Sequence, residues 1–256
     1  MSLQLDCWES VTAAQVEAAL SEFPDLIAWQ GYVPGWGRPY GGGWSAEAAR
    51  AVMSAGLGYL PLLVPYSGDP AQTPQTSQGW DEAIVFADHH VASGGGKMTI
   101  CGLNVEAPWS TGSNLAGWAQ AAHRFVAAAT AAGIASVVYG SPDFISALSG
   151  AYAPEVIYAG EWPNGSLPPS GPISLSSIPG IPDSSWDGAG QRIWQYQGGH
   201  SVSSLPFAVD SSLTDSAVPY CRLVSVPSPV PGPTPSPVLL GPGTYQVSAG
   251  ATITIS

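Results

Sequence analysis

Charge is scarce in this chain, and basic charge most of all. Only 9% of the residues are charged, and six Lys and Arg stand against 18 Asp and Glu, for a formal net charge of −12. Lys97 is the one lysine. Without a Lys/Arg stripe to neutralise a phosphate backbone, nucleic acid is not an expected partner. Cysteine is equally sparse: Cys7, Cys101 and Cys221 are odd in number, far apart and free of CxxC spacing, so they offer no disulfide framework and no zinc site. Cys7 and Cys101 fall on the helix-facing side of two predicted strands, where small buried thiols are expected rather than a disulfide. His89 and His90 diverge on a helix and His123 and His200 stand alone, with no HExxH pattern, so these four read as surface or cap residues and no metal or cofactor is expected. A serine-hydrolase GxSxG elbow is also missing. No apolar run of about 18 residues occurs, which argues against a membrane span. The segment MSLQLDCWES lacks a basic, long-apolar signal region, so no signal peptide is expected in this chain.

What is present is a large apolar and aromatic complement: 45% hydrophobic residues, ten Trp and ten Tyr in 256 residues. That suffices for one sizeable α/β core. Short β-branched or aromatic runs at 3–8, 26–32, 57–64, 98–106, 134–140, 155–162, 192–198 and 205–210 read as eight strands. Helical patterns fall between the early ones at 11–22, 44–55, 78–93 and 115–132, with Ser10, Ser45 and Ser77 as caps. Alternation of strand and helix predicts parallel pairing, and eight such units without a GxGxxG turn fit a (β/α)8 TIM-type barrel better than a doubly wound sheet. The second half is expected to be irregular, because helix 141–148 is short and 163–190 is a Pro/Gly/Ser-rich loop. The predicted organisation is a barrel over 1–225, a proline-rich linker VPSPVPGPTPSP over 226–237, and a short strand-like tail over 238–256. The tail is too short for a core of its own, and docks on the barrel or on another chain, or frays.

The stretch CGLNVEAPW at 101–109 ends an apolar run on an acid. Side-chain alternation puts Gly102, Asn104 and Glu106 on one side of this strand and the apolar residues on the other. Chemistry in such barrels gathers where strands end, and the polar residues there are Asp6, Gln30, Asn104, Glu106, Tyr139, Glu161, Trp162, Gln195, Tyr196 and Asp210. Each carboxylate alone reads equally well as a cap or a loop anchor. Together they form an acidic, aromatic-lined bowl suited to neutral polar ligands such as sugars, whose C–H faces stack on rings. Glycoside cleavage needs an acid of raised pKa and a second group that stabilises positive charge at the anomeric carbon. Glu106, beside Trp109, is the natural acid. The second group is either another carboxylate or the substrate's own N-acetyl oxygen. A retaining pair of Glu106 with Glu161 is an alternative, although Glu161 reads equally well as a partner of Arg192.

The motifs LDCW, LNVE, YAGEW, RIWQYQG and FAVDSSL, in this order over about residues 3 to 215, resemble the glycoside hydrolase family 25 lysozymes. They are closer still to the glycoside-hydrolase-like domain of actinobacterial cell-wall proteins and their phages. The resemblance implies a cell-envelope glycan as partner, Glu106 as acid, and Asp6 and Asp210 as further catalytic acids. It also carries the WQY motif onto Trp194, Gln195 and Tyr196. One position departs: Asn104-Val105-Glu106 stands where the family usually shows Asp-x-Glu. An amide can hydrogen-bond an acetamide but supplies no negative charge. Three readings follow: a muramidase-like hydrolase; a weakly active or non-catalytic glycan-binding part of a phage virion or cell-surface assembly, joined to phage proteins or to a second copy through 238–256; and an enzyme of another barrel family with a small substrate. The first two place the protein in a virion or at the cell wall outside the cell.

Overall fold

The computed structural model describes residues 2–33, 43–65, 69–105, 114–148, 154–160, 191–215, 217–224, 243–246 and 252–255. The chain divides into two units, Met1–Val224 and Ser225–Ser256. In the first, β1 (Ser2–Asp6) leads into α1 (Ala13–Glu22), β2 (Leu26–Tyr32) into α2 (Ala46–Ser54), and β3 (Gly58–Leu63) into α3 (Ser77–Ser93). The two-residue strand β4 (Gly96–Lys97) precedes β5 (Ile100–Asn104), α4 (Leu115–Ala131), β6 (Ala135–Gly140) and α5 (Pro142–Ala147). Then come β7 (Val156–Gly160), β8 (Gln191–Ser201), β9 (Ala208–Thr214) and β10 (Arg222–Leu223), the last paired antiparallel with β4. In the second unit β11 (Gly243–Gln246) and β12 (Thr252–Ile255) form an antiparallel pair. The proline-rich stretch 226–237 lies outside the described residues.

Eight strands close a barrel in the order β1-β2-β3-β5-β6-β7-β8-β9. The expectation of an all-parallel (β/α)8 barrel needs correction here. Strands β1 to β8 of the barrel run parallel, but β9 is antiparallel to both β8 and β1. The reason is the connection: residues 202–207 between β8 and β9 hold no helix, and a parallel crossover needs a dozen or more residues. This hairpin tip packs on the barrel instead. Val202 and Leu205 are buried in it, and the Glu22 carboxylate at the end of α1 accepts hydrogen bonds from Ser203 N, Ser203 Oγ and Ser204 N at 3.2, 2.9 and 2.9 Å. Strand eight accordingly runs over Ala208–Thr214 rather than 205–210.

The helices form for local reasons the sequence states well. Ser45 caps α2, accepting from Ala48 N at 3.2 Å. The other two caps shift from the expected Ser10 and Ser77 to neighbouring threonines. Thr12 and Gln15 make a reciprocal capping box on α1, and Thr76 Oγ1 accepts from Gly79 N on α3. Aromatic residues mostly fill the layer between barrel and helices: Trp29, Trp44, Trp80, Trp118 and Trp194 are fully buried. Trp44 stacks on Tyr59 at 5.6 Å and meets Trp29 edge-on at 6.1 Å, while the Tyr59 hydroxyl reaches His90 Nε2 at 3.2 Å. The three cysteines are buried and free, and burial pushes the Cys7, Cys101 and Cys221 thiols up.

Near the starts of the barrel strands the interior is closed by the segment after β9. Tyr220 packs so tightly on Gly58 that a Cβ there would overlap its ring. Its hydroxyl donates to Gln4 Oε1 at 2.8 Å and pairs with Thr214 Oγ1 at 2.6 Å. Backbone bonds between Tyr59 and Cys221, 3.0 Å in each direction, fix the segment. The opposite end of the barrel is where the polar residues of the strand ends gather.

Candidate active site

Asp6 is the last residue of β1, and its antiparallel partner across the barrel closure is Asp210 on β9. Because β9 runs downward, Asp210 sits near the start of its strand rather than at its end, yet reaches the same mouth. One amide holds both acids: Gln195 Nε2 lies 3.0 Å from Asp6 Oδ2 and 3.0 Å from Asp210 Oδ2. Gln195 is itself oriented by Tyr139, whose hydroxyl donates to its Oε1 at 2.8 Å. Asp6 Oδ2 also accepts from the Tyr158 hydroxyl at 2.9 Å, and Tyr158 pairs with Ser212 Oγ at 2.8 Å. Asp210 Oδ1 accepts from Gly199 N, where β8 turns through a positive φ. A further pair deeper in the barrel joins Gln4 Nε2 to Gln30 Oε1 at 3.3 Å.

The electrostatics follow from burial. Asp6, Asn104 and Gln195 are almost wholly buried. Burial pushes the Asp210 carboxyl above its ordinary range, against the lowering effect of the Gly199 N–H, a hydrogen bond shared with Asp6 and the nearby His200. Tyr158 is pushed well above a free phenol, first by burial and then by the Asp6 charge, so it remains a donor at any physiological pH. Burial lowers His200, keeping it neutral near pH 7, and its Nε2 lies 3.3 Å from Ser211 Oγ. Two acids a hydrogen bond apart, with firm donors on each, can hold one proton between them and present the rest of their charge to the bowl.

Of the residues singled out from the sequence, Asp6, Asp210, Gln195 and Tyr139 therefore form one connected network. Gln30 and Asn104 line the same ring, in register with Asp6 and Tyr139 respectively. Tyr196 falls on the other face of β8, against Trp194 at 6.0 Å, as alternation from Gln195 requires. Glu106, Trp109, Glu161 and Trp162 lie outside the described residues. Among the described residues no group of three or more His, Cys, Asp and Glu is arranged to hold a metal ion. Sequence reasoning missed Tyr158, Ser212 and Gly199. Tyr158 was within reach, since alternation in VIYAG puts it on the interior side with Gly160.

This barrel is similar in fold to several solved structures. The catalytic domain of an endolysin from bacteriophage P40 of Listeria monocytogenes superposes with a TM-score of 0.58 at 15% identity, over 84% of this chain and 94% of that one. A glycosyl hydrolase 25 of Streptococcus pneumoniae, described as participating in host cell invasion, gives 0.55 at 10% identity over 84% and 87%. The modular autolysin LytC of S. pneumoniae, solved with a synthetic peptidoglycan ligand, gives 0.51 at 12% identity over 84% of this chain and 46% of that one. The fold is that of the glycoside hydrolase family 25 lysozymes. Neither a protein-family model nor a curated protein sequence matches the chain. In this lysozyme-like fold the antiparallel last strand is what carries Asp210 up to Asp6.

Proposed function

We propose that the protein is a lysozyme-type hydrolase of a bacterial cell-envelope glycan, with Glu106 as the general acid and Asp6 and Asp210 positioning substrate or water. The observation that carries this reading is the pair of acids at the barrel mouth, each 3.0 Å from the one Gln195 amide. The lysozyme-like fold, shared with an endolysin domain and an autolysin that holds a peptidoglycan ligand, supports the substrate class. Glu106 protonates the leaving glycosidic oxygen as the C–O bond breaks. Positive charge then develops at the anomeric carbon, and either the Asp6–Asp210 pair or the substrate's own acetamide oxygen stabilises it before water completes the exchange. Tyr139 and Tyr158 keep the amide and the acids in place throughout.

One observation favours a second reading. Asn104 is completely buried at the position where a carboxylate would orient and polarise an acetamide. An amide there supports recognition without charge stabilisation, which suits a glycan-binding part of a phage virion or of an actinobacterial cell-surface assembly. In either case we place the site of action at the cell wall, with 238–256 available to a phage structural partner or a second copy. No helix among the described residues is long and apolar enough to cross a membrane.

The test is to incubate the protein and a Glu106→Gln variant with actinobacterial cell walls, assaying released reducing ends and pelleted protein. Release by the parent alone, with both proteins pelleting, is the expected result. Pelleting without release by either moves the protein to the binding reading. Equal release by both removes Glu106 from the mechanism, and neither release nor pelleting ends the glycan reading.

A further inference from the structure

We infer that the protein pairs with a second copy of itself through one flank of the barrel, a strip that runs down the outer face of α3 onto β4 and β10, with acids at one end and bases at the other. The inference is independent of the glycan reading above. Helix α3 buries Trp80, Ala83, Ile84, Ala87 and Val91, the stripe that a helical period turns toward a core. Its opposite face should be polar, and Asp81, Glu82 and Asp88 are indeed exposed there. Val85 and Phe86 break the pattern. They stand one turn beyond the first two acids, 55% and 41% exposed. Of the three other large hydrophobic side chains exposed among the described residues, two are Leu223 and Val224, at 39% and 54%.

These two apolar pairs belong to one surface. Arg50 Nη2 donates to the carbonyl of Ser93, the last residue of α3, at 3.2 Å, and Val224 N donates to Gly95 O at 3.1 Å. A Cβ added to Gly95 would lie 3.6 Å from Leu223 and 3.8 Å from Arg50. One step further, β10 sets Arg222 directly opposite Lys97 of β4. Like charges so placed repel, so the sheet itself gains nothing from them. Lys97 has no side-chain partner among the described residues, and the Arg222 guanidinium donates only to the carbonyl of Gly56. Arg50, Lys97 and Arg222 are three of the six basic residues in a chain of net charge −12, and all three are exposed at the foot of this one helix.

The order along the strip selects the occupant. From the upper end come the acids Asp81 and Glu82, then Val85 and Phe86, then Asp88. Glu82 stands about 16 Å up the helix from Ser93, at 1.5 Å per residue. Below Ser93 follow Arg50, then Leu223 and Val224, and finally Lys97 and Arg222. A two-fold rotation turns this pattern end for end: each acid meets a base, and each apolar pair meets the other apolar pair. A wholly acidic protein or an anionic membrane would face three acids on the same strip, whereas a second copy meets opposite charge along its length.

Sedimentation equilibrium of the full chain tests the pairing. Two variants reverse one end each: Lys97→Glu with Arg222→Glu, and Asp81→Lys with Glu82→Lys. We expect the parent to dimerise with a Kd of about 1–100 μM, the range suited to an interface below about 1,200 Å². Each variant alone should dimerise at least about tenfold more weakly, because like charge then meets like. An equimolar mixture of the two should regain the parent's dimer mass, since one strip is then acidic and the other basic throughout. Thermal midpoints should stay near the parent's, as the changed side chains are exposed. A parent that remains monomeric at about 300 μM overturns the inference. A dimer that survives both reversals places the interface elsewhere and overturns it too, as does a mixture no more associated than its components. If the Arg222 variant fails to fold, Lys97→Glu alone, which breaks no side-chain contact, takes its place.

Discussion

Replacing Gln195 by Leu removes a nearly isosteric amide from the centre of the acid pair and should make stability depend on pH in a specific way. Gln195 is 2% exposed; its Nε2 donates to both Asp6 and Asp210, and its Oε1 accepts from Tyr139. Bonds to charged groups contribute about 1.5–3 kcal/mol each, and the half-buried Asp210 belongs at the lower end of that range. Stranding the Tyr139 hydroxyl costs about 1 kcal/mol more. Because the three bonds are coupled, the sum at pH 7 should be about 4 kcal/mol rather than their full total. Asp210 has a raised pKa, so the folded protein holds a proton that the unfolded chain releases, and this group adds stability as pH falls through that raised value. In the variant the same carboxyl, once protonated, donates directly to Asp6 and ends the repulsion. The penalty should therefore be smaller at pH 5 than at pH 7. Urea unfolding of both proteins at the two pH values measures it. Equal penalties at pH 7 and pH 5, or one below about 1 kcal/mol at pH 7, would refute the claim that Gln195 holds two carboxyls against each other.

Gly31→Ala should destabilise the protein by about 1–3 kcal/mol, seen as a thermal midpoint several degrees lower, because the new methyl overlaps the buried Trp44 ring. Native protein should resist a thiol reagent such as DTNB and release three equivalents of chromophore per chain only in denaturant, since all three cysteines are buried and their thiols pushed up. Asn104→Asp should lower the thermal midpoint at pH 7 and recover part of the loss at pH 5, as a carboxylate at a fully buried position is costly while it is charged. An unchanged midpoint at both pH values would show that position 104 tolerates the charge.

Much of the barrel was legible in the sequence because alternation and helical period survive folding unchanged. LIAWQGY coincides with β2, and the pattern at 115–132 becomes α4 over Leu115–Ala131. Strand direction is not written in alternation, which reads the same both ways, so β9 was accessible only through the short connection before it. The site was half legible for a related reason. Acids and amides at strand ends stand out, which is how Asp6, Gln195 and Asp210 come together. Tyr158 sits inside an apolar run and looks like core, and LDCW reads as strand through residue 8, which hides that β1 ends at Asp6.

The antiparallel closure also bears on what an amide rather than a carboxylate at position 104 means. Residues directly opposite in an antiparallel pair lie about 4.5–5.5 Å apart, and like charges so placed repel. Asp6 and Asp210 occupy such a pair, and the chain supplies Gln195, Tyr158 and the Gly199 N–H to keep them there. Apolar residues at these positions would fold more easily, so the arrangement is a local cost of the kind that marks a working site. It follows that Asn104 does not leave the bowl without negative charge. The charge sits on the β1–β9 wall, across the barrel from Asn104, and a substrate whose anomeric carbon is held against that wall needs no carboxylate at position 104. Two substitutions separate the walls in the reducing-end assay. Asp6→Asn should cut release from cell walls by about a hundredfold or more, the scale of losing a group that stabilises transition-state charge, whereas Asn104→Asp should leave release within about threefold of the parent. The opposite pattern, a gain of tenfold or more from Asn104→Asp with Asp6→Asn weakening only binding, would refute this assignment and return the stabilising charge to the β5 wall.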